Sequence, residues 1–282
     1  MIGGINREFL YAESDFDYLS KIAGEYAGIN LTDAKHELIY SRLSKRLRKL
    51  GMSNFAQYCE LLKQGDKAEF THFINAITTN VTSFFRENHH FDYLAHKFIQ
   101  QNVMKKGGKK QPRLRVWSAG CSSGEEPYSI AIILKENIPD INRWDVKILA
   151  TDLDSNILEI ACRGVYPEDR LENVSPSRRE RWFKIGNGIN KGMVKINDEI
   201  KSMITFRQLN LTGDWPMHGP FDAIFCRNVT IYFDKPTRMR LVDRFADILS
   251  EDGCLFIGHS ESLFGTSNRF YSIGKTIHRK VA

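Results

Sequence analysis

The feature that most constrains this chain is an alternation of apolar runs that end in glycine or acids with segments of helical spacing. LRVWSAG (114–120) leads into EEPYSIAIILKENI (125–138), which carries Pro127 in its first turn, so the pair reads as strand, turn, helix. VKILATDLD (146–154) precedes SNILEIACRGVY (155–166), a helix started by Ser155 and stopped near Gly164. FDAIFCRN (221–228) precedes KPTRMRLVDRFADILS (235–250), and CLFIGHS (254–260) is a fourth run after the Asp252-Gly253 turn. Strands alternating with helices predict a mostly parallel sheet covered on both faces. Residues 166–204 break the rhythm with polar turns around one short alternating run, MVKI, and predict a small β-bearing insertion.

The first eighty or so residues are different in kind. DFDYLSKIAGEYAGI, KHELIYSRLSKRLRKLG, SNFAQYCELLK and AEFTHFINAIT all read as helices, the second ending on Gly51. In that second helix Leu43, Leu47 and Leu50 form an apolar face, while Arg42, Lys45, Arg46, Arg48 and Lys49 form a basic one without an acid among them. KKGGKKQPR (105–113) then reads as a solvated loop. At 282 residues and 42% hydrophobic content the chain can bury a large core, yet it has no apolar window of membrane-spanning length and its start lacks a signal-peptide pattern. Five scattered cysteines without a C-x-x-C pair argue against a zinc site or a redox dithiol. A soluble cytosolic chain with reduced thiols is expected, and a net charge of +6 admits nucleic acid, an acidic membrane face or an acidic protein as partner.

In SAGCSSGEEPY (118–128), Gly120 and Gly124 lie at the first strand-to-helix turn, where bare backbone approaches a ligand closely. The pattern is neither G-x-G-x-x-G nor a P-loop, and Glu125 and Glu126 at the helix start would repel a pyrophosphate. Those acids fit a ligand with positive charge. Asp152, ending the second strand, stands where an open parallel sheet offers an acid to ribose hydroxyls. A ribose site beside acids suits S-adenosylmethionine, a sulfonium with an α-amino group, better than a nicotinamide dinucleotide, and makes methyl transfer the leading reaction. Arg227, Asn228 and Tyr232 follow the third strand, where an acceptor would meet the methyl group. The Asn- or Asp-Pro-Pro-aromatic signature of adenine-N6 methylation is missing there, which disfavours a base as acceptor. His89 and His90 in NVTSFFRENHHF (80–91) are adjacent, so on a helix their side chains diverge by about 100 degrees; no metal site is expected from them.

Taken in order, TTNVTSFFRENHHF, RVWSAGCSSGEEPYSIAI, ATDLDSNILEIACRGVY, QLNL, GPFDAIFCRNVTIYFD and GCLFIGHSESL resemble the CheR family of chemotaxis receptor methyltransferases over nearly the whole chain. The resemblance implies an α/β, Rossmann-like class I S-adenosylmethionine-dependent methyltransferase domain at 113–282 with an inserted antiparallel β-subdomain at about 166–204. It also implies a small all-helical receptor-docking domain at 1–78 and a cofactor-covering linker at 79–112. The implied activity is transfer of the methyl group of S-adenosylmethionine to the γ-carboxylate of particular glutamates on cytoplasmic receptor helices, giving glutamyl methyl esters and S-adenosylhomocysteine.

Carried onto matching positions, the family's cofactor contacts fall on Asn80, Thr82, Arg86, Glu126, Asp152, Asn210, Leu211, Arg227 and Asn228, with Gly120 a backbone neighbour. Glu125 joins them from the residue reading, since either acid can face the methionine amino group. Arg86 and Tyr232 match positions beside the reacting groups. Arg86 either steers the anionic glutamate or holds the methionine carboxylate, and Tyr232 donates a hydrogen bond to the acceptor. The basic face Arg42, Lys45, Arg46, Arg48, Lys49 is expected to dock on acidic receptor helices. The GNGINKGMVKI segment is a candidate for strand addition by a receptor C-terminal pentapeptide. A cytoplasmic monomer recruited to receptor arrays, with no nucleic acid partner, no membrane insertion and no metal, completes the expectation. Two rival readings are another methyltransferase of this fold acting on a small molecule or nucleic acid, and a scaffold that has lost catalysis. If the assignment holds, Arg86→Ala costs far more methyl-transfer activity than His89→Ala; equal losses in a labelled-methyl assay would overturn it.

Overall fold

The computed structural model describes residues 7–103, 112–263 and 265–281, in two compact units. The lysine- and glycine-rich stretch read as a loop therefore lies, up to residue 111, outside the described residues. The first unit comprises Met1–Thr79 together with Tyr232–Asp234, the second Asn80–Ile231 and Lys235–Ala282.

The first unit holds four helices: α1 (Glu13–Ala27), α2 (His36–Leu50), α3 (Phe55–Lys63) and α4 (Lys67–Ile77). Their ends follow local chemistry. Gly28 and Gly51 close α1 and α2 in the left-handed conformation, and Asn54 and Asp66 cap α3 and α4 by accepting backbone N–H groups. Of the predicted apolar face of α2, Leu43 and Leu47 are fully buried and Leu50, at the helix end, is half-buried; Ile39 joins them in the core.

The basic face of α2 is only partly free. Arg42 donates to the carbonyls of Ile77 (2.9 Å) and Thr78 (2.7 Å) and to Thr79 Oγ1 (2.9 Å), closing the C-terminal end of α4. Arg46 grips the carboxylate of Glu69, a buried residue of α4, through Nε and Nη2. Arg48 pairs with Glu8 at the surface, and Lys45 and Lys49 are exposed. Arg42 and Arg46 thus work inside the helical unit, because acids and carbonyls distant in sequence reach the face that α2 alone leaves unmatched.

The second unit opens with α5 (His89–Tyr93), which runs on as a π-helical stretch, Leu94–Val103. Then come β1 (Arg113–Ala119), α6 (Glu125–Asn137), β2 (Asp145–Asp152), α7 (Ser155–Arg163), β3 (Val165–Pro167), α8 (Pro176–Trp182), β4 (Phe183–Ile185), β5 (Met193–Ile196), α9 (Asp198–Lys201) and β6 (Ile204–Gln208). The chain finishes with β7 (Phe221–Cys226), α10 (Lys235–Ile248), β8 (Leu249–Ile257), β9 (Phe270–Gly274) and β10 (Ile277–Lys280). Seven strands form one sheet in the order β6-β2-β1-β7-β8-β10-β9; β6 to β8 are parallel and the last two antiparallel. A separate antiparallel sheet, β3-β5-β4, carries the MVKI run as its middle strand.

Two details depart from expectation. Asp154, and not Ser155, caps α7, its Oδ1 accepting from the N–H groups of Asn156 (2.9 Å) and Ile157 (3.3 Å). The strands β6, β9 and β10 carry no run of apolar residues long enough to announce them; β6 and β9 are the sheet's edges, each with a single strand neighbour, and β10 is a four-residue strand between β8 and β9. In the interior, β7 and the first three turns of α6 are continuously buried. Register aligns Ala119 with Thr151, Asp152 with Gln208 and Cys226 with Ile257, so the carboxyl ends of the parallel strands meet along one edge.

Removing Arg46 leaves the Glu69 carboxylate buried without its cation. Arg46→Met is expected to destabilise the chain by about 2–4 kcal/mol, against about 0.5 kcal/mol or less for exposed Lys45→Met; urea midpoints measure both.

Candidate functional site

Four segments converge at that edge: the turn after β1, the end of β2, the loop after β7 and the loop after β8. The first turn is tied down by backbone bonds, Gly120 and Cys121 both donating to the carbonyl of Thr151 at 2.8 and 2.9 Å. Gly120 has φ +86, and a Cβ there would stand 2.4 Å from Val229 Cγ2, so only glycine lets the turn and the loop after β7 approach this closely. The Ser122 N–H donates to Asp152 Oδ2 at 2.8 Å and the Asp154 N–H to Asp152 Oδ1 at 3.0 Å, fixing the expected ribose acid at both oxygens. Burial pushes the Asp152 carboxyl up to about 6.

The two acids of the turn have different surroundings. Glu126 accepts from Ser118 Oγ (2.7 Å) and from Arg227 Nη1 (2.9 Å), so both its oxygens are engaged. Glu125 accepts from Ser123 Oγ through one oxygen, while Oε1 is buried with no hydrogen-bond partner. Burial raises both carboxyls, opposed most by Arg227 for Glu126 and by the Ser123 hydroxyl for Glu125. Arg227 is itself buried: Nη2 donates to the Arg86 carbonyl and lies 3.4 Å from Glu87 Oε2, and the guanidinium sits 5.8 Å over the Phe91 ring.

The opening stretch 80–91 packs along this edge. Asn80 Nδ2 donates to Asp154 Oδ2 at 2.8 Å, Phe84 is fully buried and Phe85 almost so, and the Phe85 N–H donates to Ser129 Oγ at 3.0 Å. The Thr82 carbonyl accepts from Arg170 at 3.2 Å, and Arg86 folds back so that Nη1 donates to the Val81 carbonyl at 2.8 Å. Beyond β6, Asn210 Oδ1 accepts from the Thr212 N–H and hydroxyl, and the carbonyl of buried Leu211 accepts from Trp215 Nε1 and Arg244 Nη1. Tyr232 belongs to the helical unit, where its carbonyl accepts from the Asn30 N–H at 2.8 Å and its ring lies under Lys35 Nζ at 4.9 Å.

The residue reading overlooked Glu261. Its buried carboxylate accepts the N–H groups of Asn228 (2.8 Å), Val229 (3.0 Å), Thr230 (2.7 Å) and Gly258, together with the Thr230 hydroxyl (2.7 Å). These bonds hold Asn228 at φ +59, and a Cβ on Gly258 would lie 2.8 Å from the Asn228 nitrogen. The only local signal was an acid in HSESL beyond a strand end.

The histidines also differ from expectation. His89 and His90 are the first two residues of α5, and although a helix turns adjacent side chains apart, the ring centroids are 4.1 Å apart and both Nε2 atoms face Thr276 Oγ1. With Glu87 they bring three ligand-type atoms within 4.8 Å of one another. Burial opposes ionisation of Glu87, yet the His259 hydrogen bond and Arg227 outweigh it and hold the carboxyl down at about 2. Burial, then Arg227, pushes His90 down to about 3, leaving it neutral. Arg227 already supplies the positive charge that Glu87 answers, which makes the cluster a partner for a guanidinium and disfavours a metal ion.

The donor set fits S-adenosylmethionine. The turn places two acids where a cationic ligand would find them, Asp152 ends β2 where an open parallel sheet offers an acid to a ribose, and the Ser122 Oγ and Glu125 Oε1 atoms are buried without hydrogen-bond partners.

Comparison with known proteins bears on this directly. The family description "CheR methyltransferase, SAM binding domain" matches residues 80–279, and "CheR methyltransferase, all-alpha domain" matches 14–78. The chain is 43% identical to chemotaxis protein methyltransferase 2 of Pseudomonas aeruginosa, covering 97% of this chain and 95% of that one. It is 40% identical to the chemotaxis protein methyltransferase of Escherichia coli, over 95% and 91%, and 40% identical to that of Borreliella burgdorferi, over 94% and 93%. Among the described residues no helix is long and apolar enough to cross a membrane.

The raised carboxyl of Asp152 has a signed consequence for stability. Between 3.8, the ordinary aspartate value, and about 6 the folded chain keeps a proton that the unfolded chain has released, so this group's contribution falls as pH rises through that window. The urea midpoint of the wild type relative to Asp152→Asn is expected to decline across it and then level off, any lost hydrogen bond adding only a constant offset.

Proposed function

The chain belongs to the CheR methyltransferase family and is an S-adenosylmethionine-dependent chemotaxis protein methyltransferase, and from that premise we propose that it methylates the γ-carboxylate of specific glutamates on the cytoplasmic helices of chemotaxis receptors. The observation that carries the reading is the acid-lined glycine turn beside Asp152, inside a chain matched by both parts of the family. When bound, S-adenosylmethionine supplies an electrophilic methyl group on a sulfonium. A glutamate is already ionised at neutral pH, so the site needs alignment and exclusion of water more than a strong base.

The chain's own residues supply that alignment. Asp152 takes the ribose hydroxyls, Gly120 admits the ligand beside bare backbone, and Asn210 and Leu211 flank the adenosine end. Glu125 and Glu126 face the methionine end; Glu125 keeps the open oxygen, while Glu126 acts through Arg227. Asn80 and Thr82 close the edge beside Asp152 and Glu125, and Asn228 presents the backbone that Glu261 fixes. Arg86 orients a carboxylate, either the acceptor's or the methionine's, and Tyr232 donates a hydrogen bond to the acceptor. Lys45, Arg48 and Lys49, all exposed, are the members of the α2 basic face that remain for docking on an acidic receptor helix, with Arg42 and Arg46 shaping that face from within. MVKI of the expected GNGINKGMVKI segment is paired on both sides as β5 and has no free edge, so strand addition by a receptor C-terminal peptide falls to the edge strand β4, which exposes Ile185. Recruitment to receptor arrays follows from that reading.

Incubation of receptor-containing membranes with methyl-labelled cofactor tests the reaction. Base-labile label released as methanol is expected; a base-stable product would point to N-methylation, and absence of transfer to a scaffold. Lys45→Glu/Lys49→Glu is expected to raise KM for receptor about three- to tenfold through lost electrostatic complementarity, with S-adenosylhomocysteine affinity unchanged; a weakened cofactor Kd would argue against docking on this face.

A further inference from the structure

The β-bearing segment between β3 and β6 reaches into the cofactor edge at three points. Tyr166 of β3 donates its hydroxyl hydrogen to the Ser123 carbonyl in the glycine turn at 2.7 Å. Phe84 of the opening stretch stands edge-on to Tyr166 and Phe183, at 5.2 and 5.3 Å between ring centroids. The third point is charged. Arg170, in the short 3-10 helix Glu168–Leu171, donates from Nη1 to the Thr82 carbonyl at 3.2 Å, and the same nitrogen lies 3.7 Å from Glu125 Oε1.

That oxygen is the one carboxylate atom of the turn's two acids without a hydrogen-bond partner, on a side chain that is 1% exposed. A buried carboxylate needs a nearby cation to remain a carboxylate, and none of the residues within the turn provides one. Arg170 comes from a different element, is anchored next to buried Leu171, and keeps 48% of its own side chain in water. It therefore offers charge to Glu125 without blocking the turn.

We infer that Arg170 is a positioning residue for the amino-acid end of the cofactor, holding the Thr82 segment and the Glu125 carboxylate in the arrangement that receives it. The inference rests on the S-adenosylmethionine reading of the site and adds to it a residue of the β-bearing segment. It separates the two ends of the ligand: the adenosine end depends on Asp152 and the segment after β6, the amino-acid end on Glu125 and Thr82 with Arg170 behind them.

The test is calorimetric titration of the full chain, as wild type, Arg170→Met and Arg170→Lys, with S-adenosylhomocysteine and with 5′-methylthioadenosine, which has the adenosine end without the amino acid. Arg170→Met is expected to weaken S-adenosylhomocysteine about five- to tenfold, the scale of one partly exposed charge-assisted contact, and to leave methylthioadenosine within about twofold. Arg170→Lys, which keeps the charge but not the fork, should recover part of the loss. Unchanged S-adenosylhomocysteine binding in Arg170→Met overturns the inference, and so does an equal loss for both ligands, which would mark damage to the turn as a whole. A wild-type chain that binds neither ligand would instead overturn the cofactor reading itself.

Discussion

A guanidinium removed from water is the constraint on which the second unit depends. Desolvating Arg227 is unfavourable by several kcal/mol unless carboxylates and carbonyls meet it, and its partners come from separate places: Glu126 at the start of α6, and the Arg86 carbonyl and Glu87 from the stretch before α5. Arg227 directly follows β7, so one buried cation ties the end of a central strand, the glycine-turn helix and the opening stretch together. None of those elements can shift alone without leaving an unpaired charge in the interior.

A second polar centre does the reverse, using one anion to gather donors. The loop after β7 leaves a row of backbone N–H groups at the sheet's carboxyl edge, and Glu261 collects those of Asn228, Val229 and Thr230. Fixing Asn228 in the left-handed region costs backbone energy, which these charge-assisted bonds offset. The cation and the anion act on adjacent residues, 227 and 228, and together set the direction in which the chain leaves the strand. Buried electrostatics thus join apolar packing in fixing the backbone at this edge.

Much of this was legible in the sequence, for identifiable reasons. Four apolar runs announced the parallel core because buried strands carry continuous hydrophobic signal, and the glycine turn and Asp152 stood where an open sheet places ligand groups. What failed was whatever depends on partners distant along the chain. The five basic residues of α2 read as one docking face, and the intramolecular contacts of Arg42 and Arg46 were invisible because Glu69 and the carbonyls that close α4 lie more than twenty residues away. The histidines looked divergent because helical spacing describes only where side chains leave the backbone, and both rings turn towards Thr276, far along the chain. Glu261 and Arg170 carried no pattern, since a carboxylate that binds backbone and an arginine that binds a carbonyl leave no periodicity behind.

Tyr232, Phe233 and Asp234 lie in the loop between β7 and α10, yet pack with the helices of the first unit. Segment order and spatial membership thus disagree at three residues, and the helical segment is not a detachable cassette. A chimera that exchanged residues 1–79 for those of a relative would carry over a foreign seat for Tyr232, so the first seventy-nine positions and these three form one unit of inheritance.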